Sequence, residues 1–165
     1  MNSEKINRIT DAVMRGLSGE SVPKSSSGTF GLEKAKKIAA KVQEKAREMG
    51  LNIVVAVSDR GARPILIECM DDAYIASYDV ALNKAYTVVA LKMSTKTLSA
   101  LAAPGGSLYG IQFTNQGQIV IFGGGDPLIY NGEIVGGLGV SGGSEEQDTA
   151  LSAYGASLMN EIMNG

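Results

Sequence analysis

The sequence of 165 residues contains no histidine, no tryptophan and a single cysteine. Without histidine, the chain lacks the side chain that most often moves protons near neutral pH and most often binds metals. A serine hydrolase triad, which needs histidine, is excluded for that reason. One cysteine without histidine also leaves too few ligands for a typical zinc or iron–sulfur site. A carboxylate site for Mg²⁺ or Ca²⁺ is still open.

Long apolar runs and an excess of basic charge are missing too. No apolar stretch approaches the roughly 20 residues that a membrane-spanning helix needs. Asp11 and Arg15 interrupt the apolar positions near the start, so no signal-peptide core is present there. The net charge of −2 argues against a nucleic-acid surface of the usual basic kind. These features predict a cytoplasmic protein that binds neither a membrane nor a nucleic acid.

Residues 1–18 are predicted to form a short amphipathic helix, and residues 19–30, rich in Ser and Gly, a flexible linker. The apolar positions that share one face of the helix are Ile6, Ile9, Val13 and Leu17. A helix of this length is marginal alone in water, so it needs a surface to pack against. That surface is either a groove on a partner protein or the chain's own domain or sister subunit.

Residues 31–165 are predicted to form one α+β domain. Helical periodicity predicts helices over residues 32–49, 73–92 and 144–163. Strand patterns predict five strands, at residues 53–57, 64–69, 118–122, 128–130 and 133–140. Asn131-Gly132 is a strong hairpin signal between the last two strands. Because the strands come as hairpins without regular βαβ alternation, the pattern favours a five-stranded antiparallel sheet flanked by helices.

The stretch Ile119–Asp148 contains nine glycines, several of them inside predicted strands. One interpretation is a phosphate or dinucleotide cradle. However, Asp126-Pro127 leads into a strand, and acidic residues follow Gly143 where a phosphate would bind. The pattern therefore favours the other interpretation, in which glycines let two backbones approach closely.

Lys84 is the candidate functional cation, because it lies in the middle of an apolar helix. A lysine drawn into a core is costly unless it is paired, and the carboxylates of Glu145, Glu146 and Asp148 are the candidate partners. Lys84 would then bind an acidic ligand or act with Glu146 or Asp148 in acid–base chemistry. Alternatively, its stem packs and its ammonium reaches solvent, which the local pattern favours.

Three motifs stand out: SYDVALNKAYTVVA at Ser77–Ala90, FGGGDP at Phe122–Pro127, and the stretch Ile134–Asp148 with its ending GVSGGSEEQD. In this order and spacing they resemble the GlcG/HbpS-like family, which includes the C-terminal domain of the propanediol-utilisation protein PduO. The resemblance covers about residues 30–165. It implies a profilin-like five-stranded antiparallel sheet with flanking helices, and a homo-oligomer that is often an octamer.

The resemblance also implies a ligand site at these motifs. The candidate binding residues are Lys84, Thr87, Gly124, Gly125, Asp126, Pro127, Ser141, Gly142, Glu146 and Asp148. The expected ligand is a haem-, corrinoid- or flavin-like cofactor or a small metabolite, and the sequence does not distinguish among these. Haem-binding relatives use histidine, so iron in this chain would be ligated by Tyr, Met, Lys or Cys.

Residues 1–18 with the linker resemble the encapsulation peptides of bacterial microcompartment cargo. This resemblance implies docking on a shell protein or a cargo enzyme inside such a compartment. Three hypotheses follow: an accessory ligand-binding cargo protein, a small enzyme (an isomerase, lyase or cofactor-processing activity), or a ligand-free structural oligomer that organises other cargo.

Overall fold

The structure, a computed structural model, describes residues 29–165. The predicted helix of residues 1–18 and nearly all of the linker lie outside the described residues. The helices are α1 (Leu32–Glu48), α2 (Ser77–Ala90), α3 (Thr95–Ala102), α4 (Glu145–Ser157) and α5 (Met159–Asn164). The strands are β1 (Val54–Asp59), β2 (Pro64–Cys69), β3 (Gly125–Tyr130) and β4 (Glu133–Ser141).

The strands form one antiparallel sheet in the order β2-β1-β4-β3. The two predicted hairpins, β1–β2 and β3–β4, are confirmed. At the centre of the sheet Val57 lies opposite Leu138. The α+β class with helices against an antiparallel sheet is thus as predicted from the hairpin pattern.

Strand β1 is buried on both faces, which explains its continuous apolar run. Val55 and Val57 belong to the large core that α1, α4 and α5 cover. Val54 and Ala56 face the other way and pack with Ala81 of α2. Because successive side chains alternate between the faces of a strand, a run without polar positions indicates helices on both sides.

The glycines of β4 let the backbone of α2 lie directly on the sheet. A Cβ atom at Gly139 would collide with the carbonyl oxygen of Ala81, and one at Gly137 with that of Ala85. The same carbonyl of Ala85 accepts a hydrogen bond of 3.0 Å from the hydroxyl of Ser58. This is the close backbone approach that the glycine-rich pattern indicates.

The prediction of five strands was wrong: the sheet has four, and residues 118–122 are not a strand. Ile119 and Val120 are buried, as their apolar character suggests. However, the N–H of Val120 donates to Oγ1 of Thr87 at 3.0 Å, and that oxygen also lies 3.3 Å from the carbonyl oxygen of Gln118. A side chain of α2 thus takes the place of a neighbouring strand.

The predicted last helix is divided at Leu158 into α4 and α5. Its predicted capping box is confirmed, since the N–H of Gln147 donates to the hydroxyl of Ser144 and the Gln147 side chain accepts from the Ser144 N–H. None of the helices in the described part of the chain combines the length and the apolarity that crossing a bilayer requires.

Candidate functional site

Lys84 is fully buried between α2, the end of β4 and the start of α4. Its Nζ donates to Oδ2 of Asp148 at 2.9 Å and to the carbonyl oxygen of Val140 at 2.7 Å. Of the two interpretations of Lys84, the structure shows the paired one, and the partner is Asp148. The ammonium therefore does not reach solvent, contrary to what the local pattern favoured.

Asp148 is held in place by the turn that begins α4. Its Oδ1 accepts the N–H of Gly143 at 2.9 Å, while its Oδ2 accepts from Lys84. A carboxylate in the first turn of a helix is also stabilised by the positive end of the helix dipole. Both oxygens of Asp148 thus have donors, which is the condition under which a buried charged pair is tolerated.

Phe122 covers the ammonium of Lys84 from the outside. The centroid of its ring lies 4.9 Å from Nζ, in a cation–π contact, and its side chain is partly exposed. Gly124 brings this segment close, because it has a φ of 108° and a Cβ there would collide with Nζ. The glycine run after Phe122 is therefore needed to fit the backbone around Lys84.

For both Lys84 and Asp148, burial and pairing shift the pKa in opposite directions. Burial lowers the pKa of the Lys84 ammonium, against the opposing attraction of Asp148. Burial likewise raises the pKa of Asp148, against the opposing effect of Lys84. Desolvation thus favours the neutral forms of both groups, and the contact between them keeps the ion pair.

A second ion pair anchors the same helix start at the surface. Glu145 accepts from Nζ of Lys96 at 3.2 Å and from the N–H of Gly123 at 3.1 Å. The hydrogen bond from Gly123 lowers the pKa of Glu145. Glu145 therefore ties the glycine segment next to Phe122 to α4.

The predicted site residues divide into two groups. Those at the Lys84 contact are Gly124, whose backbone closes over Nζ, and Asp148. Gly142 lies at the same turn, but a Cβ there would meet the backbone of Asn52 and Ile53. Glu146 is exposed, and its carboxylate accepts from the hydroxyl of Ser144 at 2.9 Å, so it has no contact with Lys84.

The remaining candidates have other contacts. Thr87 holds the 118–120 segment, and the hydroxyl of Ser141 donates to that of Ser77 at 3.0 Å. Asp126 accepts from the hydroxyl of Ser152 at 2.6 Å, and burial raises the pKa of Asp126.

Two further candidates lie in strand β3. Gly125 donates its N–H to Oγ1 of Thr95 at 2.9 Å, and Pro127 lies opposite Gly137 in the sheet. A Cβ at Gly125 would lie only 3.1 Å from Cβ of Lys84, so this glycine packs against the stem of the lysine.

Phe122 and Lys96 belong to the site but were not among the predicted residues, and Glu145, named as a candidate partner of Lys84, pairs with Lys96 instead. Phe122 stands at the start of a quoted motif, and that position was the one available signal. The pairing of Glu145 with Lys96 joins residues 49 positions apart, and no local pattern reports such a contact. Within residues 29–165, no three His, Cys, Asp or Glu side chains come together as a metal site.

The arrangement holds the backbone of the glycine segment in place. As long as Phe122 covers Lys84, no substrate can reach the ion pair, so the site cannot act on one. Lys84 and Asp148 have side chains that are 0% and 5% exposed, so a ligand cannot touch them directly. The accessible part of the site is the outer side of Phe122 and the neighbouring glycine backbone.

Relatives share most of the described chain. A 15.0 kDa protein in the dhaT–dhaS intergenic region of Citrobacter freundii is 46% identical over 134 residues, which cover 81% of this chain and 94% of that protein. The corrinoid adenosyltransferase PduO of Salmonella typhimurium is 38% identical over 117 residues, which cover 71% of this chain but only 35% of PduO.

A solved structure is similar over the same region. The crystal structure of a PduOC–haem complex superimposes with a TM-score of 0.77 at 34% identity, covering 80% of this chain and 96% of that one. The family model described as haem degrading protein HbpS-like matches residues 30–157. The chain therefore belongs to the HbpS-like family.

Proposed function

We propose that this protein is an accessory ligand-binding protein that takes a flat, tetrapyrrole-like or flavin-like cofactor against Phe122. The observation that carries the proposal is the aromatic ring of Phe122, held by the Lys84 ammonium on one side and partly exposed on the other. An aromatic ring fixed in this way offers a stacking surface to a planar ligand. Similarity to a protein solved in complex with haem supports the same class of ligand.

The described residues fit the flat apolar body of haem better than they fit its iron. The chain has no imidazole, and Nζ of Lys84 is already bonded to Asp148 and Val140. Cys69, Tyr74 and Tyr109 are exposed, and their thiol and phenol groups are among the available iron ligands. When bound, haem supplies redox and oxygen chemistry, whereas the residues around Phe122 would only bind and orient it.

Binding is tested by titrating the full-length protein with haemin, cobalamin and flavin mononucleotide, followed by gel filtration and absorption spectra. We expect one of the three to co-elute with a spectral shift, and Phe122→Ala to weaken its binding at least tenfold. The matched control is Phe113→Ala, which alters an 84% exposed ring outside the site. Passage of all three compounds unbound would contradict the proposal and leave the ligand-free structural oligomer. Unchanged binding by Phe122→Ala would show that the ligand binds elsewhere and would overturn the role of Phe122.

The same protein is proposed to form a homo-oligomer, in agreement with the octamer that the family resemblance implies. Large apolar side chains are exposed on the described surface, among them Ile75 at 96% and Tyr74 at 74%. Tyr74 and Ile75 are neighbours in the chain, and together they offer an apolar surface that a sister subunit would cover. Native mass spectrometry of protein from its own host would count the subunits and weigh any bound ligand, and a monomer would overturn this part.

We also propose that residues 1–18 dock on a shell protein or cargo enzyme of a bacterial microcompartment. The support is the apolar face that the spacing of Ile6, Ile9, Val13 and Leu17 predicts, together with the likeness to encapsulation peptides. Deleting residues 1–18 should abolish co-localisation with a shell and leave the melting temperature unchanged. A large fall in melting temperature would instead indicate that the segment packs on its own domain.

Catalysis by Lys84 with Asp148 is a second candidate function, because the two groups lie 2.9 Å apart in a buried position. Glu146, the other predicted acid–base group, bonds Ser144 instead. Chemistry at Lys84 would require the Phe122 segment to open. If an isomerase, lyase or cofactor-processing activity is detected, a folded Lys84→Ala protein should lose it, and unchanged turnover would remove Lys84 from the mechanism.

A further inference from the structure

A cleft lies at the end of β4 that is farther from the Lys84–Asp148 contact, and two basic side chains line it. It has a volume of about 490 Å³ and is lined by Arg60, Val89, Lys92, Gly132, Glu133 and Ile134. Helix α2 runs from Ser77, bonded to Ser141 at one end of β4, towards this cleft at the other end. The cleft is therefore separate from the Lys84–Asp148 contact.

The two cations of the cleft have no acidic partner. Among residues 29–165 neither Arg60 nor Lys92 forms a salt bridge, whereas Arg63, in the same turn as Arg60, pairs with Asp59. Both cationic side chains belong to exposed residues, so they are hydrated and accessible. Two unpaired cations from separate elements of the fold thus meet at one concave surface.

The backbone at Lys92 adds a second observation. Lys92 follows the C-cap residue of α2 and has a left-handed φ of 56°. Glycine is the usual residue at this position of a helix end, because a side chain there is strained. A lysine in its place puts a cation into the cleft, and the negative end of the helix dipole stabilises that charge.

The other residues that line the cleft indicate what else the ligand carries besides its anionic group. Val89 and Ile134 supply an apolar wall, which suits a carbon skeleton. Glu133 supplies a carboxylate, which accepts hydrogen bonds and repels a second anionic group. The volume lies in the range of clefts that bind small molecules.

We propose that this cleft binds a small organic phosphate monoester that also carries an ammonium group. Arg60 and Lys92 bind the anionic group, since a guanidinium donates in pairs to phosphate or carboxylate oxygens and an ammonium acts as a point charge. Glu133 accepts from the ammonium group. The site works without any ligand at Phe122, so it stands apart from the function proposed above.

Isothermal titration calorimetry on the full-length protein tests the site, with O-phosphoethanolamine as the probe at constant ionic strength. Inorganic phosphate tests the anion alone, and ethanolamine tests the ammonium group alone. We expect saturable binding of phosphoethanolamine, weaker binding of phosphate and none of ethanolamine. Added salt should weaken binding, because exposed charges are screened.

Variants assign the binding to the cleft. Arg60→Gln with Lys92→Gln should weaken phosphoethanolamine binding at least tenfold, while Lys41→Gln, an exposed lysine on α1, should leave it unchanged. Glu133→Gln should weaken binding of phosphoethanolamine but not of phosphate. The proposal is overturned if neither phosphate compound binds, if the double variant binds normally, or if Lys41→Gln weakens binding as much as the double variant does. Equal affinity for the two phosphate compounds would overturn the role of Glu133.

Discussion

Two ion pairs hold the first turn of α4, one of them buried and the other exposed. Asp148 pairs with Lys84 at 2.9 Å with side chains that are 5% and 0% exposed. Glu145, three positions earlier, pairs with Lys96 at 3.2 Å with side chains that are 35% and 57% exposed. Both pairs join the helix to distant parts of the chain, so their comparison shows how burial changes the neighbours that an ion pair needs.

The buried pair depends on more neighbours than the exposed pair. Removing two charges from water is costly, so the buried pair needs further donors and acceptors, here Gly143, Val140 and the ring of Phe122. The exposed pair stays hydrated and is screened by salt. Removing one partner of the buried pair should therefore lower the free energy of unfolding strongly, because the other partner is left charged and without a counterion.

The largest effect is expected for Lys84→Met. It leaves the carboxylate of Asp148 buried and unpaired, and we expect a loss of about 3–5 kcal/mol in the free energy of unfolding. Urea denaturation at fixed protein concentration measures this loss. The control is Lys84→Met with Asp148→Asn, which removes the uncompensated charge and should recover part of the stability. A loss below about 1 kcal/mol for Lys84→Met would show that the pair is not coupled to the fold.

The stability of the Lys84→Met variant should depend on pH through the carboxyl group of Asp148. Burial raises the pKa of Asp148, and removing Lys84 removes the attraction that opposes this rise. Between the unfolded and folded pKa values the native state then binds more protons than the unfolded state, so stability falls as the pH rises. The destabilisation relative to the unmodified chain should therefore be smaller at pH 5 than at pH 8. An equal loss at both pH values would contradict it.

A moderate effect is expected for Ser144→Ala. The Ser144 hydroxyl accepts the N–H of Gln147 at 3.3 Å and caps α4 just before both acidic residues. Loss of an N-cap of this kind costs about 1 kcal/mol. Thermal unfolding followed by circular dichroism measures the change, and Ser144→Asp, which can cap as well, should restore stability. If alanine and aspartate behave alike, the cap does not stabilise the helix.

The smallest effect is expected for Lys96→Gln. The pair with Glu145 is hydrated, so its loss should reduce the free energy of unfolding by less than about 1 kcal/mol. The difference from the unmodified chain should vanish in 1 M NaCl, where the Debye length falls to about 3 Å. A loss as large as that of Lys84→Met would mean that burial does not separate the two pairs.

Much of the fold could be predicted from local patterns. The β1–β2 and β3–β4 hairpins, the helix over Leu32–Glu48 and the capping box at Ser144 all follow from residues that are near one another in the chain. The segment 118–122 could not be predicted in the same way. Its apolar residues report burial, but only its position against Thr87 decides that a hydroxyl, not a strand, binds its backbone.

The site shows the same division. The sequence offered the acidic first turn of the last helix as one possible partner for Lys84, but the local pattern favoured an ammonium that reaches solvent. The choice among Glu145, Glu146 and Asp148 depends on the direction in which each side chain leaves the first turn of α4. The structure brings Asp148 to Lys84, ties Glu145 to Lys96 and leaves Glu146 at the surface.

Composition and local motifs were enough to identify the family, to exclude imidazole chemistry and to show the glycines that allow α2 to lie on β4. The tertiary structure alone decided that Lys84 is sealed beneath Phe122, and that Arg60 and Lys92 meet in an open cleft. The physical reason is that composition and spacing act locally. The environment of a charge depends on which distant elements of the chain exclude water from it, and that is known only once the chain is folded.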